Sequence, residues 1–107
     1  MKFSFSKYVW FDGKFVPLSK AKVPITTHAI HYGTSIFEGI RGYWSSKNLY
    51  IFRLNDHVKR FRNSGKFYNI TFNFSDKQIE NAVLNLCKKN KIKESCYIRP
   101  FYFVSQL

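Results

Sequence analysis

Acidic side chains are scarce in this chain. Six Asp and Glu stand against 18 Lys and Arg in 107 residues, a formal charge of +12. Glu38 and Asp56 are not spaced as an acid/base pair. Cysteine is equally thin: Cys87 and Cys96 lie nine residues apart, and no C-x-x-C spacing exists to suggest a metal site or a redox motif. No apolar run approaches the ~20 residues that span a bilayer, so no membrane partner is expected. The opening Met1-Lys-Phe-Ser-Phe-Ser-Lys7 lacks the apolar stretch of a secretory signal, and a reducing, cytoplasmic location is the expectation. Repeats and low-complexity linkers are absent, and the length fits one domain at most.

Aromatic residues are plentiful. Apolar residues make up 45% of the chain and aromatics 20%, with 12 phenylalanines. Each ring buries a large apolar area, so a core is within reach. The positive charge has two readings. One is a nucleic-acid or anionic-surface binder. The other is the Lys- and Asn-rich composition of an A+T-rich genome, which the excess of 13 lysines over 5 arginines suits. Lysines are scattered, and the one cluster, Lys88-Lys-Asn-Lys-Ile-Lys93, falls at a predicted helix C-terminus where cations suit the helix dipole. No RNP, KH or helix-turn-helix pattern is found, and nucleic acid is not the expected partner.

Local patterns give an order of elements. Tyr8–Phe11 and Lys14–Val16 flank Asp12-Gly13, a strong hairpin signal, and Pro17 ends the second strand. His28–Tyr32 suits one short helical turn. Ser35–Trp44 reads as one strand, with Ile36, Glu38, Ile40 and Gly42 on one face and Phe37, Gly39, Arg41 and Tyr43 on the other. Residues 45–48 form a turn, and Leu49–Arg53 pairs back as a second hairpin. Asn55 is the expected N-cap of a helix to about Phe67, with Asp56 in its first turn. Ser75 and Gln78 make a capping box for a helix carrying Ile79, Ala82, Val83, Leu86 and Cys87 at helical spacing. Tyr97–Val104 is the last strand, and Pro100 inside it argues for an edge or a bulge. Strands, two helices and a returning strand predict an α+β fold: a mostly antiparallel sheet with two helices packed on it.

The segment from His28 to Tyr43 departs from an ordinary strand. It gathers five aromatic or imidazole side chains, three glycines and one arginine in sixteen residues. Glycine at that density costs backbone entropy and is tolerated where a backbone must approach something closely. Phe37, Gly39 and Arg41 share one face and suit a pocket for an apolar group and an anion; equally, Phe37 could be core and Arg41 a solvated charge. Tyr97 and Arg99, two apart, share a face and together make a carboxylate receptor, or else a half-buried ring beside a surface charge. Arg60 on the first long helix is either an exposed charge or a phosphate contact, for which a planar guanidinium is well shaped. His28, His31 and His57 make no catalytic set, and no metal site is expected.

His31-Tyr-Gly-Thr-Ser-Ile-Phe-Glu-Gly-Ile-Arg41 resembles the opening signature of the branched-chain amino-acid aminotransferases, pyridoxal-phosphate enzymes of fold type IV. Tyr8-Val-Trp-Phe-Asp-Gly-Lys14, Ala21-Lys-Val23, Phe52-Arg53, His57-Val-Lys-Arg-Phe61 and Tyr97-Ile-Arg-Pro100 follow that family's order and approximate spacing. The resemblance runs from Tyr8 to Val104. It implies that residues 1–107 are the N-terminal small domain of such an enzyme, truncated, with the domain that carries the Schiff-base lysine lying beyond this chain. No catalytic residue is therefore expected here, and the chain alone is expected to be inactive.

The resemblance also implies roles. The positions matching Phe37, Gly39 and Arg41 line the substrate side-chain pocket, and the one matching Tyr32 does so from a neighbouring subunit. The positions matching Tyr97 and Arg99 recognise substrate carboxylates, and the one matching Arg60 reaches the cofactor phosphate. Gly65 stands where the family commonly has alanine, which should loosen the helix by up to ~1 kcal/mol. The implied reaction moves an amino group between leucine, isoleucine or valine and 2-oxoglutarate, in branched-chain amino acid metabolism and biosynthesis. The implied cofactor is pyridoxal 5′-phosphate, the implied partners are amino acids and 2-oxo acids, and the full enzyme would be a homodimer or larger homo-oligomer. Alternatives within the fold are D-amino-acid aminotransferase and aminodeoxychorismate lyase. Outside it stand a basic nucleic-acid-binding module and a non-catalytic remnant.

Overall fold

The computed structural model describes residues 5–106. Its first unit is a hairpin of β1 (Tyr8–Phe11) and β2 (Lys14–Pro17), antiparallel with Val9 opposite Val16. Asp12 and Gly13 both hold positive φ, +49° and +88°, the backbone a two-residue hairpin turn needs to match strand twist. A single 3₁₀ turn over Leu18–Lys20 follows. Helix α1 (His28–Tyr32) then ends at Gly33, whose φ of +66° closes the helix in the left-handed region.

The predicted strand over Ser35–Trp44 is in fact two. β3 (Ser35–Phe37) pairs with the last strand, β7 (Phe101–Phe103), while β4 (Ile40–Ser45) pairs with both β5 (Asn48–Ile51) and β6 (Cys96–Ile98). The final strand likewise splits, with Arg99-Pro100 between β6 and β7. Proline has no N–H to give a ladder, so the pairing must pause there. The partner strand pauses at the same level, at Glu38-Gly39, where the Glu38 amide donates to the Pro100 carbonyl at 3.0 Å. Among the described residues the expected single sheet is thus three small ones, ordered β1-β2, β3-β7 and β5-β4-β6, and every pairing is antiparallel.

Two longer helices cover these strands. α2 (Leu54–Lys66) begins two residues earlier than expected, and Asn55 is not its cap. Phe52 still donates to the Arg41 carbonyl at 2.9 Å, which keeps the chain along β4, so the turn into the helix falls on Arg53 with a left-handed φ of +51°. Arg53 Nε donates to Asp56 at 2.9 Å, and Asn55 Nδ2 donates across to Glu80 at 3.1 Å. α3 (Asp76–Lys89) opens with the predicted capping box: Ser75 Oγ accepts from the Gln78 amide and Gln78 Oε1 from the Ser75 amide.

The core lies between helices and strands. Ile36 and Ile40 from the strands, Val58 and Phe61 from α2, and Ile79, Ala82 and Val83 from α3 are buried together. Phe72 fills the gap between α2 and β7, its ring 4.9 Å from Phe61 and 5.4 Å from Tyr102. Gly65 is buried within this packing. A Cβ there would lie 3.3 Å from Phe72 and 3.5 Å from Ile36 and Ile70. At the far end of α3, Asn90 latches β1, with Nδ2 donating to the Tyr8 carbonyl and Oδ1 accepting from the Tyr8 amide. No helix among the described residues is long and apolar enough to cross a membrane.

Candidate functional site

The paired breaks in the strands create the site. At Glu38-Gly39 and Arg99-Pro100 both strands leave one sheet and enter the next, with Arg99 on the exposed side of the break and Glu38 on the buried side. The period-2 alternation nevertheless survives the break: Ile36, Glu38, Ile40 and Gly42 are buried, while Phe37, Arg41 and Tyr43 are exposed.

On the exposed side, Phe37, Gly39, Tyr97 and Arg99 come together. Arg99 Nη2 donates to the Tyr97 hydroxyl at 3.0 Å, and its guanidinium lies 4.4 Å from the centre of the Phe37 ring. A cation over an aromatic face is held electrostatically as well as by contact. Gly39 permits this arrangement, because a Cβ on it would overlap the Tyr97 hydroxyl and lie 3.0 Å from Tyr97 Cζ. Arg41 is opposite Tyr97 in the β4–β6 register, and opposed residues present their side chains on one face. Phe37 and Tyr97 remain 56% and 51% exposed, so the cluster is an open surface. It offers two rings and two guanidinium groups, a combination able to receive an apolar group together with a carboxylate.

Tyr32 and Arg60 stand apart from this cluster. Tyr32 is on α1, 73% exposed, with its ring 4.5 Å from His28. α1 is held to the chain after β7, where Ser105 and Val104 carbonyls accept from the His28 and Ala29 amides. Arg60 projects from α2 to the buried face of the strand break. Its Nε donates to both Glu38 oxygens, at 3.1 and 2.9 Å, and its Nη2 donates to Oε1 at 2.7 Å. The Arg60 side chain is still 68% exposed, while Glu38 is only 4% exposed. His57, one turn earlier, donates from Nδ1 to the same Glu38 Oε1 at 2.8 Å.

Glu38 is the residue sequence reasoning missed. Burial alone would push its carboxyl up, but hydrogen bonds from Arg60 and His57 and the charge on those partners outweigh it and hold the carboxyl below its ordinary range. Its carboxylate in turn raises Arg60 above the usual guanidinium value. The signal was present: an acid between Ile36 and Ile40 on an apolar strand face must find a cation, because burying a charge unpaired is costly. The other two histidines bond locally, His28 Nδ1 with Thr34 Oγ1 at 2.9 Å and His31 Nε2 to the Ile25 carbonyl at 2.8 Å.

Comparison with known proteins agrees with this architecture. The model of the amino-transferase class IV family matches residues 35–106. The branched-chain-amino-acid aminotransferase of Salmonella typhimurium is 42% identical over 100 residues, which cover 94% of this chain and 32% of that protein. The crystal structure of the Escherichia coli branched-chain amino acid aminotransferase superposes with a TM-score of 0.91 at 40% identity, over 96% of this chain and 34% of that one. The T.th. branched-chain amino acid aminotransferase, complexed with N-(5′-phosphopyridoxyl)-L-glutamate, superposes with a TM-score of 0.90 at 41% identity, over 96% of this chain and 35% of that one. The chain thus spans about a third of the length of the relatives it matches. With the family model covering both broken strands and the two helices between them, the chain belongs to the amino-transferase class IV family.

Proposed function

We propose that this chain is the N-terminal small domain of a pyridoxal-phosphate-dependent branched-chain amino-acid transaminase. The reaction is transfer of the amino group of leucine, isoleucine or valine to 2-oxoglutarate. The observation that carries the reading is the cluster of Phe37, Gly39, Tyr97 and Arg99 with Arg41 beside it. An enzyme of this kind must accept a branched aliphatic side chain and also glutamate, which ends in a carboxylate. Phe37 and the open Gly39 accept the first. Arg99, steadied by Tyr97, satisfies the second, which an apolar pocket alone could not. The T.th. relative, complexed with a phosphopyridoxyl-glutamate, supports both a glutamate carboxylate and a pyridoxyl phosphate as ligands of this architecture.

Arg60 is the group of this chain suited to the cofactor phosphate. Its charge is permanent, and Glu38 engages Nε and Nη2 but leaves Nη1 outside the clamp. Pyridoxal phosphate, when bound, supplies the electron sink of the reaction. Tyr32, exposed on α1, closes the substrate pocket of a neighbouring subunit in a homodimer or larger homo-oligomer. The lysine that carries the cofactor belongs to the part of the protein beyond the third spanned here. The location is cytoplasmic. D-amino-acid aminotransferase and aminodeoxychorismate lyase, the other readings of the fold, are less well supported, since the relatives named above are branched-chain enzymes.

The test is a donor profile of the protein at its natural length with 2-oxoglutarate as acceptor. Preference for leucine, isoleucine and valine is expected. A strong preference for D-alanine would overturn the assignment.

A further inference from the structure

We propose that Glu38 is a positioning residue: buried beneath the strand break, it sets the Arg60 guanidinium in the orientation that receives the cofactor phosphate. The inference rests on the reading of Arg60 as the phosphate contact. Glu38 occupies the joint where β3 gives way to β4, and its own amide is bound to the Pro100 carbonyl at 3.0 Å. Its backbone is therefore fixed on both sides by strand pairing, through Phe37 opposite Phe101 and Ile40 opposite Ile98. The carboxylate is fixed too, since His57 Nδ1 donates to Oε1 at 2.8 Å and Arg60 donates to both oxygens. A residue so constrained is a rigid post. Arg60, by contrast, is a long side chain with most of its surface in water, and an unheld arginine there would sample many rotamers. Two-point attachment through Nε and Nη2 removes that freedom and fixes the plane of the guanidinium, leaving Nη1 and the second Nη2 proton to meet an anion.

The arrangement also couples two parts of the site. Phe37 and Gly39, the neighbours of Glu38 in sequence, face the substrate cluster, while Glu38 itself faces Arg60. One three-residue stretch therefore fixes the substrate surface on one side and the phosphate contact on the other. The Glu-Gly pair at the strand break has a role for each residue: the glycine makes room for Tyr97, and the acid holds Arg60.

The experiment measures affinity for pyridoxal 5′-phosphate and for pyridoxal, which lacks the phosphate, in the protein at its natural length and in Glu38→Gln, Glu38→Asp, Arg60→Ala and the double variant Glu38→Gln/Arg60→Ala. Arg60→Ala is expected to weaken the phosphorylated ligand selectively. Glu38→Gln is expected to do the same by roughly tenfold, the scale on which outer partners of a ligand group act. Glu38→Asp, one methylene short of Arg60, should show an intermediate selective loss, and it decides the matter if the glutamine variant does not fold. Glu38→Gln should add nothing once Arg60 is alanine. A second readout is the Arg60 Nε–Hε resonance, which should be sharp and protected in the parent and lost in Glu38→Gln. A selective loss in Arg60→Ala with none in either Glu38 variant overturns the positioning role while leaving the phosphate contact standing. No selective loss in Arg60→Ala overturns the phosphate contact itself.

Discussion

The hydroxyl of Tyr97 occupies the space that a side chain on Gly39 would need. A Cβ at Gly39 would lie 3.0 Å from Tyr97 Cζ and closer still to the hydroxyl. Gly39→Ala therefore has to move the Tyr97 ring, and with it the bond to Arg99 at 3.0 Å. Tyr97 is half exposed and able to swing outward, so the stability cost should stay at the low end of the ~1–3 kcal/mol of overpacked cores. The binding cost should be larger. In the protein at its natural length, the proposed role of Tyr97 and Arg99 in binding a carboxylate predicts that KM for glutamate rises more than KM for leucine. Equal changes for both would separate Gly39 from carboxylate recognition.

Acid should weaken the joint between α2 and the strand break. The Glu38 carboxyl is held below its ordinary value of 4.5 in the folded chain. Its contribution to stability is therefore fully present above that value and is lost as pH falls from about 4.5 through the lower folded pKa. Urea denaturation across that window should show stability declining, and Glu38→Gln should flatten the part of the slope that Glu38 supplies.

Cys87 should resist alkylation. Burial pushes its thiol up from 9.0 to about 11, with Cys96 nearby adding to the effect. Only the thiolate reacts, and two pH units correspond to about a hundredfold less of it at neutral pH. Iodoacetamide should therefore label Cys87 about a hundredfold more slowly in the native chain than in urea, read by peptide mass spectrometry. Cys96, raised in the same direction chiefly by burial, should also be slowed.

Ser75→Ala should cost about 1 kcal/mol of stability, because it removes the acceptor for the Gln78 amide and half of the capping box. The midpoint of urea denaturation measures this directly. A change within error would mean that the first turn of α3 is held by packing and by the Arg62 to Asp76 ion pair at 2.6 Å instead.

The purified 107-residue chain should catalyse no transamination between leucine and 2-oxoglutarate with pyridoxal phosphate present. Glutamate formation above the rate of free cofactor would contradict the proposal that the essential lysine lies elsewhere in the protein.

Much of this is legible along the chain. The first hairpin, the short helix over His28–Tyr32, the capping box and the apolar stripe of α3 all follow from interactions between residues a few positions apart, and such signals are written in sequence order. The alternation through Ser35–Trp44 correctly separates buried Ile36, Glu38 and Ile40 from exposed Phe37 and Arg41. The start of α2 is not legible in the same way. Asn55 has the right chemistry for a cap, but the bond from the Phe52 amide to the Arg41 carbonyl carries the β4–β5 pairing one step further and fixes the turn at Arg53, and capping chemistry does not show where a ladder ends.

Most elements and their faces thus follow from the chain read in order, because side-chain period and capping chemistry are local properties, and the family follows from motif resemblance. Only the tertiary structure decided that two long strands are each broken at the same level, that Tyr97 fills the void over Gly39, and that Glu38 clamps Arg60. Each of these depends on which segments meet in space. Pro100 interrupts one ladder, Glu38-Gly39 answers it from a strand sixty residues earlier, and a buried carboxylate finds its cation on a helix between them. Pairing of that kind is settled by the packing of the whole core, where an unmatched charge or an unfilled space costs more than any local preference supplies.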